Sequence, residues 1–338
     1  MLKSRFTLAL ILLAVATASV YFLLPKAASL PQPAARPIVA LVPMGTTDEY
    51  WKAVHAGGIK AAKELNVELI WQGPIRRDDR SSQLDVVDSM VIRGVSGIVL
   101  APIDNMALRS PVNDAYLSHI PVIVIDSDLA SDKQESFIRT DNEAAGFLAG
   151  EHLASLLGYK GRVAILRGVE GNSSTDHREV GFIKAIRQHK DMQIVSDRQH
   201  GGGTTESAYK ASENLIAPFK SADKLNLDGI FCPNESTTFG MLRALQDGGL
   251  AGKIKFVGFD FSPKLLAALR AGEISALVAQ DPVTMGYLGV KAVVDKLQGK
   301  ELTRVVDVKA TIVTQKNIDE PAVKGIIEPD LSILETKR

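Results

Sequence analysis

Acids and amides recur in this sequence directly after short runs of β-branched residues, and that placement decides what chemistry they can share. Asp48, Tyr50 and Trp51 follow Ile38–Pro43, and Asp126, Ser127 and Asp128 follow Val122–Ile125. Ser173, Ser174, Asp176 and Arg178 follow Val163–Leu166. Asn234 and Glu235 follow Gly229–Phe231, Asp260 follows Lys255–Gly258, and Gln280 follows Ala276–Ala279. Carboxylates and amides bond neighbouring hydroxyls in pairs, at about 1.5–3 kcal/mol where one partner is charged. Tyr50 and Trp51 add aromatic faces able to cover the apolar side of a polyhydroxylated ring. Singly, any of the polar residues could be a helix cap, and the two aromatics could open a buried helix face. As a set of six strand ends drawn from both halves of the chain, they are less easily explained that way.

The elements that must position them alternate along the chain. Strand candidates are Ile38–Pro43, Val67–Trp71, Gly97–Leu100 and Val122–Ile125, then Val163–Leu166, Gln193–Ser196, Gly229–Phe231, Lys255–Gly258 and Ala276–Ala279. Helical patterns lie between them at Trp51–Leu65, Ser82–Arg93, Glu143–Leu157, Thr237–Gln246 and Val283–Leu297. Fully apolar strands alternating with helices predict an α/β fold with parallel sheets covered on both faces. The strands fall into two groups, so the expected architecture is two doubly wound parallel-sheet lobes joined by a three-strand hinge. The first lobe is expected to hold 38–140 and 281–308, and the second 141–280 and 309–338. Ligands of open parallel sheets bind beyond the carboxyl ends of the strands. Polar strand ends from two lobes then meet in the cleft between them.

Composition narrows the classes further. The 338 residues suit two domains, and 39 basic against 39 acidic residues, with no basic block, give no nucleic-acid surface. The single cysteine, Cys232, lies in an apolar run and reads as a small buried residue. Residues 1–37 differ from the rest: Lys3 and Arg5 precede an apolar run from Phe6 to Leu24, and a Pro/Ala-rich stretch follows. That reads as a secretory signal with a cleavage site at Ala16-Thr17-Ala18, or, at this length, as a retained membrane anchor. Either reading puts the rest of the chain in the periplasm or outside the cell.

Enzyme readings find little support. The first strand–helix turn, Met44-Gly45-Thr46-Thr47-Asp48, lacks the Gly-x-Gly-x-x-Gly of dinucleotide binders, and no Gly-x-Ser-x-Gly occurs. The six histidines show no metal-ligand spacing, so no metal or cofactor is expected. Asp126-Ser127-Asp128 could be the Asp-x-Asp of a Mg²⁺-dependent phosphatase of the haloacid dehalogenase type. That family carries the motif on its first strand, and here three strand–helix units precede it.

From about Ile38 to Gln315 the chain resembles periplasmic sugar-binding proteins of the ribose-binding type, relatives of the effector domains of LacI-type repressors. The matching segments are Ile38-Val39-Ala40-Leu41-Val42 with Asp48-Glu49-Tyr50-Trp51, Ile120–Asp126, Gly181-Phe182, Asn234-Glu235 with Gly240, Val257–Asp260, and Ala279–Pro282. The resemblance implies a non-enzymatic, monomeric binder that closes over a monosaccharide or polyol and presents it to an ABC permease, or to a membrane chemoreceptor or histidine kinase. It implies ligand contacts at Asp48, Tyr50, Trp51, Asp126, Asn234, Asp260 and Gln280, with Ser127, Asp128, Asp176 and Arg178 as further candidates. Three positions depart from the ribose pattern. Ser127 and Asp176 stand where arginines are expected, leaving Arg178 nearby, and Gly203 stands where an aromatic would close the pocket. The expected pocket is therefore more acidic and suits a larger sugar, a polyol or an amino-bearing ligand.

Overall fold

The computed structural model describes residues 36–221 and 224–335, and the apolar N-terminal run lies outside them. Two six-stranded sheets organise the chain. In the first, β1 (Ile38–Val42), β2 (Glu68–Trp71), β3 (Gly97–Leu100), β4 (Val122–Ile125), β5 (Ser136–Thr140) and β13 (Val305–Val308) stand in the order β13-β5-β4-β3-β1-β2, all parallel. The second contains β6 (Lys160–Arg167), β7 (Asp191–His200), β10 (Gly229–Phe231), β11 (Lys255–Phe259), β12 (Ala276–Ala279) and β14 (Thr311–Val313). Its order is β14-β12-β11-β10-β6-β7, and only β14 runs antiparallel. In chain order between β7 and β10, the strands β8 (Lys220–Ser221) and β9 (Lys224–Leu225) form a small antiparallel pair.

Helices cover both faces of each sheet, as buried strands such as Gly97–Leu100 and Val122–Ile125 require. In the first lobe these are α1 (Glu49–Glu64), α2 (Arg80–Arg93), α3 (Arg109–Leu117) and α9 (Pro282–Leu297). In the second they are α4 (Asn142–Leu156), α5 (Ser173–Arg187), α6 (Thr205–Ile216), α7 (Glu235–Asp247), α8 (Pro263–Arg270) and α10 (Pro321–Ile327). Among the described residues no helix is long and apolar enough to cross a membrane.

Besides the short β8–β9 pair, three strands of the two main sheets escape the apolar pattern for a physical reason. Ser136–Thr140 carries a serine, an arginine and a threonine in five residues, yet it pairs on both sides, with β4 and β13. Val305–Val308 is an edge strand broken by Asp307, and Thr311–Val313 has only three residues. Each of these adjoins a point where the chain changes sheet. It leaves the first sheet after Thr140 and enters α4; after Ala279 it leaves the second and enters α9; between Val308 and Thr311 it returns. Beyond β14 the chain makes one more link. Val323 and Ile327 of α10 join the core of the second lobe, and the turn at Ser332–Leu334 rests on α1 of the first.

The α4–α5 pair shows how closely the cover is packed. A Cβ on Gly146 would lie 1.9 Å from the carbonyl oxygen of Arg178, and one on Gly181 would lie 2.0 Å from that of Glu143. Both glycines are therefore fixed by backbone approach. A methyl at Gly146 must push the helices apart, and overpacking of this kind typically costs 1–3 kcal/mol. Gly146→Ala is expected to lower the midpoint of urea unfolding by about that free energy, whereas Gly325→Ala, which meets nothing within 4 Å, should leave it in place.

Candidate functional site

The two lobes meet at the carboxyl ends of their strands, where each sheet presents an aspartate in the same unusual conformation. Asp126 after β4 has φ of 65° and Asp260 after β11 has φ of 66°. Left-handed backbone is disfavoured for most residues and tolerated by Asp and Asn. In each case the twist lets the backbone N–H continue the ladder, to Ile138 O at 2.9 Å and to Val278 O at 2.8 Å. The carboxylates then turn into the space between the sheets, where both residues are almost wholly buried.

A continuous chain of hydrogen bonds runs from one lobe to the other and back. The Tyr50 hydroxyl donates to Asp126 Oδ1 at 2.7 Å, and the Tyr50 backbone N–H donates across the cleft to Glu235 Oε2 at 3.3 Å. The Glu235 N–H donates to Asp260 Oδ2 at 3.0 Å, and Gln280 Nε2 donates to Asp260 Oδ1 at 2.6 Å. Gln280 Oε1 accepts from the Thr140 hydroxyl and from Arg178 Nη2, both at 2.8 Å. Arg178 is held on its other sides by Asn142 Oδ1 and the Pro233 carbonyl, and it stacks 3.8 Å above the Phe259 ring centroid. Thr140, Asn142 and Gln280 all sit where the chain changes sheet. Arg178 thus binds two of the crossovers together.

The remaining candidates separate into four groups. Asp48 ion-pairs with Arg77, which lies beyond β2 and stacks over the Trp51 ring at 5.6 Å. Trp51 is wholly buried in the core of the first lobe, edge-on to Tyr50 with ring centroids 4.9 Å apart. Ser127 and Asp128 face the start of α5: Ser127 Oγ lies 3.3 Å from Ser173 Oγ and accepts from Ser174 N–H at 3.2 Å, while Asp128 N–H donates to Ser173 Oγ at 2.8 Å. Asn234 caps α7, its Oδ1 accepting from the Thr237 N–H and hydroxyl and from Ser236. Asp176 stands apart on the first turn of α5, partly exposed and 3.9 Å from Arg167. The Asp128 carboxylate turns back onto its own loop, accepting from Leu129 N–H.

One site group, Arg77, is absent from the strand-end pattern, and a second, Glu235, stands in it without an expected ligand role. Arg77 belongs to the end of β2, where Trp71 draws attention to the core and the Arg76-Arg77 pair six residues on is easily passed over. Glu235 follows Asn234 immediately and reads as an ordinary first-turn acid. Gly203, where an aromatic would be expected, lies against the first lobe. A Cβ there would come within 2.8 Å of Asp78.

Burial governs the electrostatics. Loss of water around Glu235, with Asp48 beside it and Arg77 opposing, pushes its carboxyl up to about 8. Burial also raises Asp260, partly offset by Arg178 and Arg77, and raises Tyr50, with Asp126 adding to the effect. Burial works against the charge of Arg77, but Asp48, Asp260 and Glu235 outweigh it and hold the guanidinium above its usual range. Because Glu235 rises from 4.5 to about 8, its contribution to stability is fully present below about pH 4.5 and is lost as pH climbs through 8. Melting midpoints of the unliganded protein between pH 5 and pH 9 are expected to fall less steeply for Glu235→Gln than for the wild type. Parallel curves would show that Glu235 carries no such proton.

Similarity to known proteins follows this geometry. The periplasmic binding protein domain family matches residues 39–301. The ribose import binding protein of Haemophilus influenzae is 28% identical over 281 residues, covering 83% of this chain and 92% of that protein. A carbohydrate transporter solute-binding protein from Agrobacterium radiobacter, solved with D-arabinose, superposes with a TM-score of 0.82 at 30% identity, over 87% of this chain and all of that one. The periplasmic component of an ABC-type sugar transport system from Hahella chejuensis gives 0.79 at 34% identity, over 82% of this chain and all of that one. The two-sheet architecture, the crossovers between sheets and the match over most of the chain agree, and the chain belongs to the periplasmic binding protein domain family, as a solute-binding protein and not an enzyme.

Proposed function

We propose that this protein binds a neutral monosaccharide or polyol in the cleft between its lobes and presents it to an ABC permease. The observation that carries the reading is the hydrogen-bonded path Asp126–Tyr50–Glu235–Asp260–Gln280, which belongs to both lobes and is lined with carboxylates. Four acids, Asp48, Asp126, Glu235 and Asp260, stand with only two guanidiniums, Arg77 and Arg178. That balance opposes an anionic ligand and suits hydroxyl donors. The ligand would dock on one lobe and the lobes rotate about the three crossovers, a motion stabilised only by contacts made in the closed state.

Within that cleft the residues take different roles. Asp126 and Asp260 would accept from ligand hydroxyls, Tyr50 would hold Asp126 in place, and Gln280 and Arg178 would set the hinge. Ser127, Ser173 and Asp128 would latch the rim. Asn234 would act through α7, whose first turn it caps and whose Glu235 it thereby positions. We also infer export through the apolar N-terminal stretch, with N-terminal sequencing of the mature protein telling a cleaved signal from a retained anchor.

Calorimetry with a panel of aldoses and polyols is expected to find a ligand, and Asp126→Ala and Asp260→Ala should each weaken it by roughly 10- to 100-fold through loss of a buried charged hydrogen bond. Asp176→Ala should leave the affinity within about twofold, as expected of a partly exposed residue outside the network. Wild-type affinity in both pocket variants would place the ligand elsewhere.

A further inference from the structure

Among the described residues four buried side-chain polar atoms lack a partner, and two of them adjoin each other at the candidate site: Trp51 Nε1 and Arg77 Nη2. Arg77 spends its Nε on Asp48 and lies 5.6 Å over the Trp51 ring. Its charge is felt by Glu235 and Asp260 of the opposite lobe, so the group sits at the lobe boundary. A buried donor without an acceptor costs about 1–3 kcal/mol, and more for a charged group. Native interiors rarely leave one, and two at one place point to an acceptor that the ligand brings.

The two orphans share a chemical restriction. Indole N–H and guanidinium N–H donate and cannot accept. Elsewhere on the path Asp126 and Asp260 offer carboxylate acceptors and Glu235 a carboxyl group, while the other guanidinium, Arg178, is already engaged at Nε, Nη1 and Nη2. Ligand hydroxyls suit those acceptors, because each carries a proton to give. A hydroxyl placed against Trp51 and Arg77 would still have its own proton to accommodate. An ether oxygen has two lone pairs and no proton, which matches a pair of donors. A carboxylate would match as well, but the surplus of acids over guanidiniums disfavours it.

Resting on the sugar-or-polyol reading, we infer that Trp51 and Arg77 form a donor-only subsite for the ring oxygen of a cyclic sugar and so select cyclic sugars over their open-chain alditols. The short loop after β2 delivers the arginine, and Asp48 fixes the guanidinium so that Nη2 remains for the ligand. An alditol carries one more hydroxyl where the cyclic sugar has its ring oxygen. That hydroxyl would bring a proton to a place where two donors offer it no acceptor. Leaving a site's buried polar groups unmatched is an effective way to reject an analogue.

The test pairs each aldose with its own alditol, using D-ribose with ribitol, D-arabinose with D-arabinitol, D-xylose with xylitol and D-allose with allitol, by calorimetry on the full chain. For any pair that binds, the aldose is expected to bind at least about tenfold tighter, the effect of one unmatched buried donor. Trp51→Phe keeps the ring and removes the N–H, and Arg77→Lys keeps a cation for Asp48. Both are expected to bring the ratio towards one chiefly by weakening the aldose. A wild-type ratio of one or below, or ratios unchanged in both variants, would overturn the subsite while leaving the sugar-or-polyol reading in place. Failure of every aldose and alditol to bind the wild type would remove the reading on which the subsite rests.

Discussion

Gln280, at the second crossover, bonds Thr140 of the first lobe and Asp260 and Arg178 of the second, and much of the network across the cleft depends on how it is satisfied. Its amide donates to Asp260 and accepts from Thr140 and Arg178. A buried amide with an unmet partner costs about 1–3 kcal/mol, so this residue is held by three elements at once. Asp260 in turn needs the Gln280 donor, because its carboxylate is buried and opposed by desolvation. Asp260 then receives the first N–H of α7, which sets where Glu235 points and so where the second lobe meets Tyr50. The hinge and the pocket are therefore one network. A change at the crossover reaches the ligand side within two hydrogen bonds.

The same network explains why some of the molecule could be read from sequence and some could not. The apolar runs of β3, β4 and β10 are fully buried, as is β1 beyond Ile38, and burial on both faces writes a strand plainly. Ser136–Thr140 is hidden because its Ser, Arg and Thr serve particular partners: Ser136 bonds the Thr303 carbonyl, Arg139 bonds Asp307, and Thr140 bonds Gln280. Polar strands at a crossover carry interactions that periodicity does not encode. Asp126 and Asp260 were visible as strand-end acids, whereas their left-handed backbone was not. Glu235 stands among the strand-end residues, but its bond to Tyr50 joins two lobes and is not written locally, and Arg77 has no distinctive neighbour in the chain. The α/β class is a local property repeated many times, and the cleft is a single long-range coincidence.

The departures from the ribose-type pattern fall on one physical theme. A serine at 127 is short enough for its hydroxyl to reach the α5 N-terminus, where free N–H groups wait for an acceptor. A longer side chain there would hold the lobes apart or point into the pocket. Glycine at 203 lets the loop before α6 close on Asp78 without a side chain between them. In both places direct lobe-to-lobe contact stands where the resemblance would put a ligand contact. Under the proposed closure the rim would supply part of the stabilisation and the ligand less, because a ligand shifts such an equilibrium only by its differential contacts.

Those rim contacts also bear on how the pocket chooses. If the rim supplies some of the closing free energy, fewer ligand contacts are needed to hold the lobes together, and discrimination must come from groups that penalise a poor match. Buried charges do this well, because an unpaired one in a low-dielectric cleft is costly and a paired one gains little. Glu235 is already displaced towards its neutral form by burial and by Asp48. Arg77 keeps its charge only through the acids around it. A ligand that failed to engage either would leave the closed cleft with polar groups facing no partner, and that cost would return the lobes towards the open form. On the proposed reading, selectivity would follow from the protein's own unsatisfied atoms more than from the number of bonds a ligand can make.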